Sequence, residues 1–175
     1  EREISNALLG KEAFIKLKMN SISDFKMTDK LYEASNAGVK IQLIVRGICC
    51  LIPGVKGLSE NIEAISIVDN YLEHSRIYIF ANGGDPDVFI SSADFMTRNL
   101  DARVEVTCPI YDEDIKKELI ETFEIGWKAN VKARIHSDDL LNKYRKRGDE
   151  KPFRAQLEMY NYYQKKLDVI AEKVE

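Results

Sequence analysis

Cysteine is scarce in this sequence and badly placed for cross-linking: there are three, Cys49, Cys50 and Cys108, an odd number with two of them adjacent. Neighbouring thiols have poor geometry for pairing or chelation, which argues against a disulfide framework and predicts a reducing, cytoplasmic setting. Long apolar runs are missing too. The longest, Ile48 to Pro53, is far short of the roughly 20 residues that a membrane-spanning helix needs, so no span is expected. The opening residues, Glu1-Arg2-Glu3-Ile4, show no basic region followed by an apolar stretch and do not read as a secretory signal. They include no initiator Met, which predicts processing or, as the preferred reading, a piece of a longer chain. Histidine is nearly absent, with only His74 and His136, so a histidine mechanism has few candidates. Nor is positive charge in excess: 26 Lys and Arg against 29 Asp and Glu leave a net charge of −3. Such a chain is not a polycation built to coat nucleic acid, and any anion site must be local.

What is present is ample apolar material. With 45% hydrophobic and 31% charged residues over 175 positions, one domain with a real core is expected over the whole of residues 1–175. Ala13 to Met19 alternates Leu with Lys and reads as a strand. Thr28 to Ala37 has helical spacing, with Thr28 as N-cap and Gly38 as the stop, and Val39 to Val45 is β-rich. Strand, helix and strand together predict a parallel pair with a crossover helix. Further strands are expected at Ala64 to Val68, Arg76 to Phe80, Val88 to Ser92 and Arg103 to Cys108, with a turn at Asn82 to Pro86 between the second and third. From Asp112 the period becomes 3.6, with Ile115, Leu119, Phe123 and Trp127 on one stripe, and a last helix holds Leu157, Tyr160 and Leu167. The fold class is therefore α/β, a mixed β-sheet flanked by helices.

Three places suit anion chemistry. His74 precedes the strand Arg76 to Phe80, and its spacing from Arg76 puts both side chains on one face, where they can meet one anion or simply cap a turn. Arg46 ends a strand and is followed by Gly47, which lets the chain turn sharply; strand carboxyl ends of open α/β sheets are where ligands bind, and the planar guanidinium fork suits phosphate. Ser91 to Asn99 is a strand exit rich in small polar residues, followed closely by Arg103, and reads as a phosphate contact or as ordinary capping. The cysteines, His136 and Trp127 read as structural. The run Lys143, Arg145, Lys146, Arg147, Lys151 and Arg154, less Asp149 and Glu150, carries a local net charge of +4; it reads as a solvated loop or as the path of a polyanion.

The stretches Asp29 to Ile41, Leu43 to Gly47, Ile65 to Asp69, Tyr71 to His74 and Ser91 to Asp101 resemble the C-terminal domain of bacterial polyphosphate kinase, the ATP-dependent, phosphohistidine type. The resemblance runs from about Lys16 to Tyr160. It implies a phospholipase D-like fold and places this chain as the last, second phospholipase D-like domain of a longer enzyme. That enzyme reversibly transfers the ATP γ-phosphate to inorganic polyphosphate, with the nucleophilic histidine in the domain upstream. Carried over position by position, it assigns Arg46, His74 and Arg103 to ATP phosphates, His74 in a supporting catalytic role. Mg²⁺ would accompany ATP and be held mainly outside this stretch, with no complete metal site here. The implied partners are ATP, ADP and polyphosphate, not nucleic acid, with a homo-oligomeric parent.

The superfamily pattern of His-x-Lys, four residues and Asp is altered, because His74-Ser75-Arg76 has Arg for Lys and Ala81 stands where the Asp would. Loss of an acid that orients the imidazole argues for His74 as phosphate contact or proton donor rather than nucleophile. The isolated stretch is therefore expected to be inactive. Alternative readings are a phospholipase D-type phosphodiesterase or a non-catalytic polyanion-binding module.

Overall fold

The Leu/Lys alternation of β1 (Phe14–Met19) suggests a half-solvated strand, yet both of its faces are covered. Ile15, Leu17 and Met19 point into an apolar cluster with Leu31, Ala34, Leu43 and Val45. The two lysines on the other face are matched by carboxylates: Lys16 Nζ lies 2.5 Å from Glu124, and Lys18 pairs with Glu73. A buried or half-buried ammonium is tolerable when paired this way, so a strand that looks amphipathic in sequence can lie at the centre of a sheet.

A computed structural model describes residues 1–172. Among these, seven strands form one sheet in the order β6-β5-β4-β1-β2-β3-β7. β1, β2 (Lys40–Val45) and β3 (Ile62–Ile67) are parallel. β4 (Ile77–Phe80), β5 (Asp87–Ser91) and β6 (Thr107–Ile110) continue from β1 in antiparallel pairs, and β7 (Ala133–His136) is antiparallel to β3. The mixed sheet and flanking helices match the expected class. Three elements escaped the sequence pattern: helix α1 (Arg2–Leu8), a short helix after β5 and the edge strand β7.

Helix α2 (Phe25–Asn36) crosses from β1 to β2. Its N-cap is Asp24, whose carboxylate accepts from Met27 N at 3.0 Å. Thr28, expected to be the cap, lies one turn further in and donates its hydroxyl to the Asp24 carbonyl. Asp is the stronger cap of the two, but the apolar stripe begins late enough to draw the expected boundary to Thr28. Gly38 takes φ +94° and ends the helix as expected, a conformation that a side chain resists.

A short helix, α3 (Thr97–Asp101), follows β5. On the opposite face of the sheet from α2 lies α4 (Glu113–Trp127), capped by Asp112 and acidic in its first turn, which suits the helix dipole. Its Phe123 and Trp127 rings stack 6.3 Å apart and pack with Ile44, Ile65, Ile77 and Ile79. The last helix, α5 (Ala155–Glu172), lies on α4, where Lys166 and Tyr163 both reach Glu118 and Tyr162 donates to Glu121. Among the described residues no helix is long and apolar enough to cross a membrane.

Candidate phosphate-binding site

The parallel strands set a common edge. β1 and β2 both finish there, delivering Asn20 and Arg46. β4 runs the other way, so the loop that feeds it, carrying His74 and Arg76, starts from the same edge. β5 ends there and hands on to Asp94, and the segment leading into β6 contributes Arg103. These side chains, with Arg98 and Glu105, line one cleft of about 490 Å³. It holds four arginines against two carboxylates, one of which is consumed by an internal pair.

That pair organises the cleft. Asp94 is buried; its Oδ1 accepts from Arg76 Nε at 3.0 Å and from Asn20 N at 2.8 Å, and its Oδ2 from Arg76 Nη2 at 3.1 Å. Burial alone would raise the Asp94 carboxyl, but the Arg76 guanidinium and the Asn20 N–H groups outweigh it and hold the carboxyl below its usual range. The Asn20 amide nitrogen also faces Asp94, which turns the amide oxygen outward, where it accepts from Arg46 Nη2 at 2.6 Å and Nε at 3.2 Å. On the other side, Arg76 Nη2 approaches His74 Nε2 at 3.3 Å and Arg76 Nη1 donates to the His74 carbonyl. A guanidinium only donates, so in this contact Nε2 can serve only as the acceptor. One unbroken network therefore runs Arg46, Asn20, Asp94, Arg76, His74.

Arg46, His74 and Arg103, picked out separately in the sequence, are brought together at this cleft. Arg103 gets there differently from the expectation: its segment is irregular, and β6 begins only at Thr107. Alternation in Arg103 to Cys108 looked like a strand, but Glu105 turns back to accept from Asn99 and Ser92, which draw its carboxyl below the usual range, the Ser92 hydroxyl most. The serines expected to meet phosphate are spent locally, Ser91 on Thr107 and Ser92 on Glu105. Half of the basic run is spent too. Lys143 pairs with Asp139, Arg145 donates to the Trp127 carbonyl, and Arg154 grips Asp69 with two hydrogen bonds. Trp127 is a core residue, as expected.

Asn20 was missed as a site residue, and Asp94, although inside the Ser91 to Asn99 stretch, was not singled out within it; the two lie 74 positions apart. The only sequence signal for Asn20 is its place directly after a parallel strand.

The loop before β4 is pinned from outside the cleft. Asp69 is held by Arg154, Tyr71 exchanges two backbone hydrogen bonds with the Gln156 amide, and Glu73 accepts from both Gln156 and Lys18. Gln156 belongs to α5, so the terminal helix fixes the approach to His74.

Gly47 has a different task from the one its sequence position suggests. Its φ is not positive; instead a Cβ there would lie 2.9 Å from the Asn20 carbonyl oxygen, to which Gly47 N also donates at 2.7 Å. Gly47→Ala is expected to cost about 1–3 kcal/mol by overpacking and to displace Arg46 from Asn20. Urea denaturation, with ATP affinity measured alongside, checks both effects.

The cleft does not fit a protein-held Mg²⁺. Its two carboxylates are committed to Arg76 and Asn20 and to Ser92 and Asn99, and among the described residues no three His, Cys, Asp or Glu side chains gather to hold a metal.

Comparison with known proteins gives the family. The model for polyphosphate kinase C-terminal domain 2 matches residues 1–156. The chain belongs to that family. Polyphosphate kinases of Vibrio vulnificus and Escherichia coli K12 are 50% and 49% identical to it over 162 residues, 93% of this chain but only 23% and 24% of those proteins. The crystal structure of polyphosphate kinase from Porphyromonas gingivalis superposes with a TM-score of 0.93 at 48% identity, covering 96% of this chain and 26% of that one. The chain thus spans about a quarter of the polyphosphate kinases it matches. A phospholipase D family member, Nuc from Salmonella typhimurium, superposes at TM-score 0.55 and 12% identity over 77% of this chain and 89% of its own; that likeness shows a shared fold.

Proposed function

We propose that this chain is the second phospholipase D-like, C-terminal domain of a polyphosphate kinase, and that its cleft binds the phosphates of ATP. In this reading Arg46 and Arg103 grip phosphate oxygens, and His74 contacts them as a hydrogen-bond or proton donor. The phosphoryl group passes through a histidine of the preceding domain on its way to polyphosphate, reversibly. The observation that carries the proposal is the convergence of Arg46, His74 and Arg103 on one arginine-rich cleft at the carboxyl edge of the parallel strands. Phosphoryl transfer spreads negative charge over equatorial oxygens, so positioned cations are what it chiefly requires. Mg²⁺ would arrive with the nucleotide, in keeping with the lack of free carboxylates in the cleft. A homo-oligomeric parent enzyme in the cytoplasm completes the reading.

A phosphodiesterase reading is disfavoured at His74 itself, whose Nε2 meets a cation, Arg76. Ala81, where the superfamily pattern has an acid, lies at the opposite edge of the sheet, its N–H donating to the Phe14 carbonyl, so the altered motif position bears on the imidazole in neither direction.

The test compares the full-length enzyme with the 175-residue chain, using radiolabelled ATP. Polyphosphate should form only with the full-length enzyme, and the chain alone should bind ATP at least tenfold more weakly. Polyphosphate synthesis by the chain alone, or cleavage of a chromogenic phosphodiester by the full-length enzyme in place of synthesis, would overturn the proposal.

A further inference from the structure

Arg46 stands in the wall between two cavities. Besides the cleft described above, it lines a second one of about 580 Å³, together with Ser66, Arg134, His136, Ser137 and Tyr144. We infer that this second cavity is an oxyanion subsite that takes the phosphate chain beyond the phosphates held in the first cleft. The inference rests on the reading of the first cleft as a phosphate site.

Among the described residues, those that line this cavity include two arginines and a histidine and no Asp or Glu, so an anion entering it meets donors before it meets a carboxylate. Arg134 is fixed in place from two sides. Its guanidinium lies over the Tyr144 ring, 3.9 Å from the centroid, and Nη1 donates to the Asn142 carbonyl at 2.8 Å. Its Nε and Nη2 have no protein acceptor among the described residues. Arg46 likewise spends Nε and Nη2 on Asn20 and leaves Nη1 uncommitted. A guanidinium already ordered by stacking loses little further freedom when it takes up an oxyanion.

The loop that supplies this support is built at a cost. Leu140 and Asn142 take φ values of 53° and 49°; such strain is unfavourable for a leucine and persists where the surroundings demand it. The nearby Asp139 is withdrawn from play, since its carboxylate is held by Lys143, Ser137 and Leu141 N. His136 Nε2 sits 3.3 Å from the Val45 carbonyl, which anchors the ring between β2 and the cavity. Because Arg46 is common to both spaces, a chain of linked phosphates can run from one to the other over a single guanidinium. Bridging two adjoining subsites favours a long chain over a short one through effective concentration.

The test is equilibrium binding of ATP, tripolyphosphate and long-chain polyphosphate to the full-length enzyme and its Arg134→Ala and Arg134→Gln variants over a range of salt concentrations. Arg134→Gln keeps a donor for the Asn142 carbonyl, and so serves if the alanine variant folds poorly. Expected is about tenfold weaker binding of long-chain polyphosphate, with a log–log salt slope shallower by about one, a raised KM for polyphosphate, and ATP affinity within twofold of wild type. Unchanged affinity for long chains, or equal weakening for all three ligands, would overturn the subsite while leaving the first cleft intact. Wild-type enzyme that binds neither ATP nor polyphosphate would overturn the reading beneath both.

Discussion

Asp94→Asn is expected to destabilise the chain by about 3 kcal/mol and to slow ATP-to-polyphosphate transfer by the full-length enzyme about 100-fold. The carboxylate receives the Arg76 guanidinium and the Asn20 N–H groups at once, and both members of the ion pair are largely buried, with 12% and 8% of their side chains exposed. An amide retains one acceptor but leaves the buried cation without a counter-charge and sets an NH₂ against the N–H groups that remain. The two ends of the network would then lose their common anchor. Urea denaturation of the chain gives the first number and initial rates of the full-length enzyme the second.

The pH dependence separates the ion pair from mere packing. Because the fold depresses the Asp94 pKa below 3.8, its contribution is complete above that value and disappears as pH falls through the folded-state pKa. The stability gap between wild type and Asp94→Asn should therefore be full at pH 7 and shrink below about pH 4. A gap of the same size at pH 3 would mean that charge is not its cause.

Arg46→Ala should lower the transfer rate by about 10² to 10³, the range for removing one preorganised donor from a developing negative charge. Arg46→Lys should not restore it. The native side chain gives two N–H groups to Asn20 while lining the cleft; an ammonium on a flexible stem cannot grip the amide oxygen in a fork. His74→Ala should fall in the same range, and the double variant should lose less than the product of the two, since both residues are ends of one network. Initial rates with saturating ATP and polyphosphate give all of these values. A strictly multiplicative double variant would show that Asn20, Asp94 and Arg76 do not couple them.

Much of the architecture was legible because β-rich runs and one amphipathic stripe carry it. The strand expected over Val39 to Val45 differs from β2 by one residue, and the hairpin around Asn82 to Pro86 lies where the turn residues put it. The misses have physical causes. β7 is four residues long and shows no alternation that survives its neighbours. α1 is too short for a clear stripe. Asp24 and Thr28 compete for one cap, and Arg103 alternates without pairing. At the cleft, residue types were enough to single out Arg46 and His74, since a strand-end arginine and a rare histidine are visible one at a time. What joins them could not be seen: Asn20 and Asp94 act only through each other, and nothing local marks a partner 74 positions away.

The grip of Gln156 and Arg154 on the loop before β4 makes the seating of α5 on α4 a remote adjuster of the His74 side of the cleft. A ligand, neighbouring domain or substitution that lifted that helix by its Tyr162, Tyr163 or Lys166 contacts would slacken the loop that carries His74 and Arg76 while leaving Arg46, Arg98 and Arg103 in place.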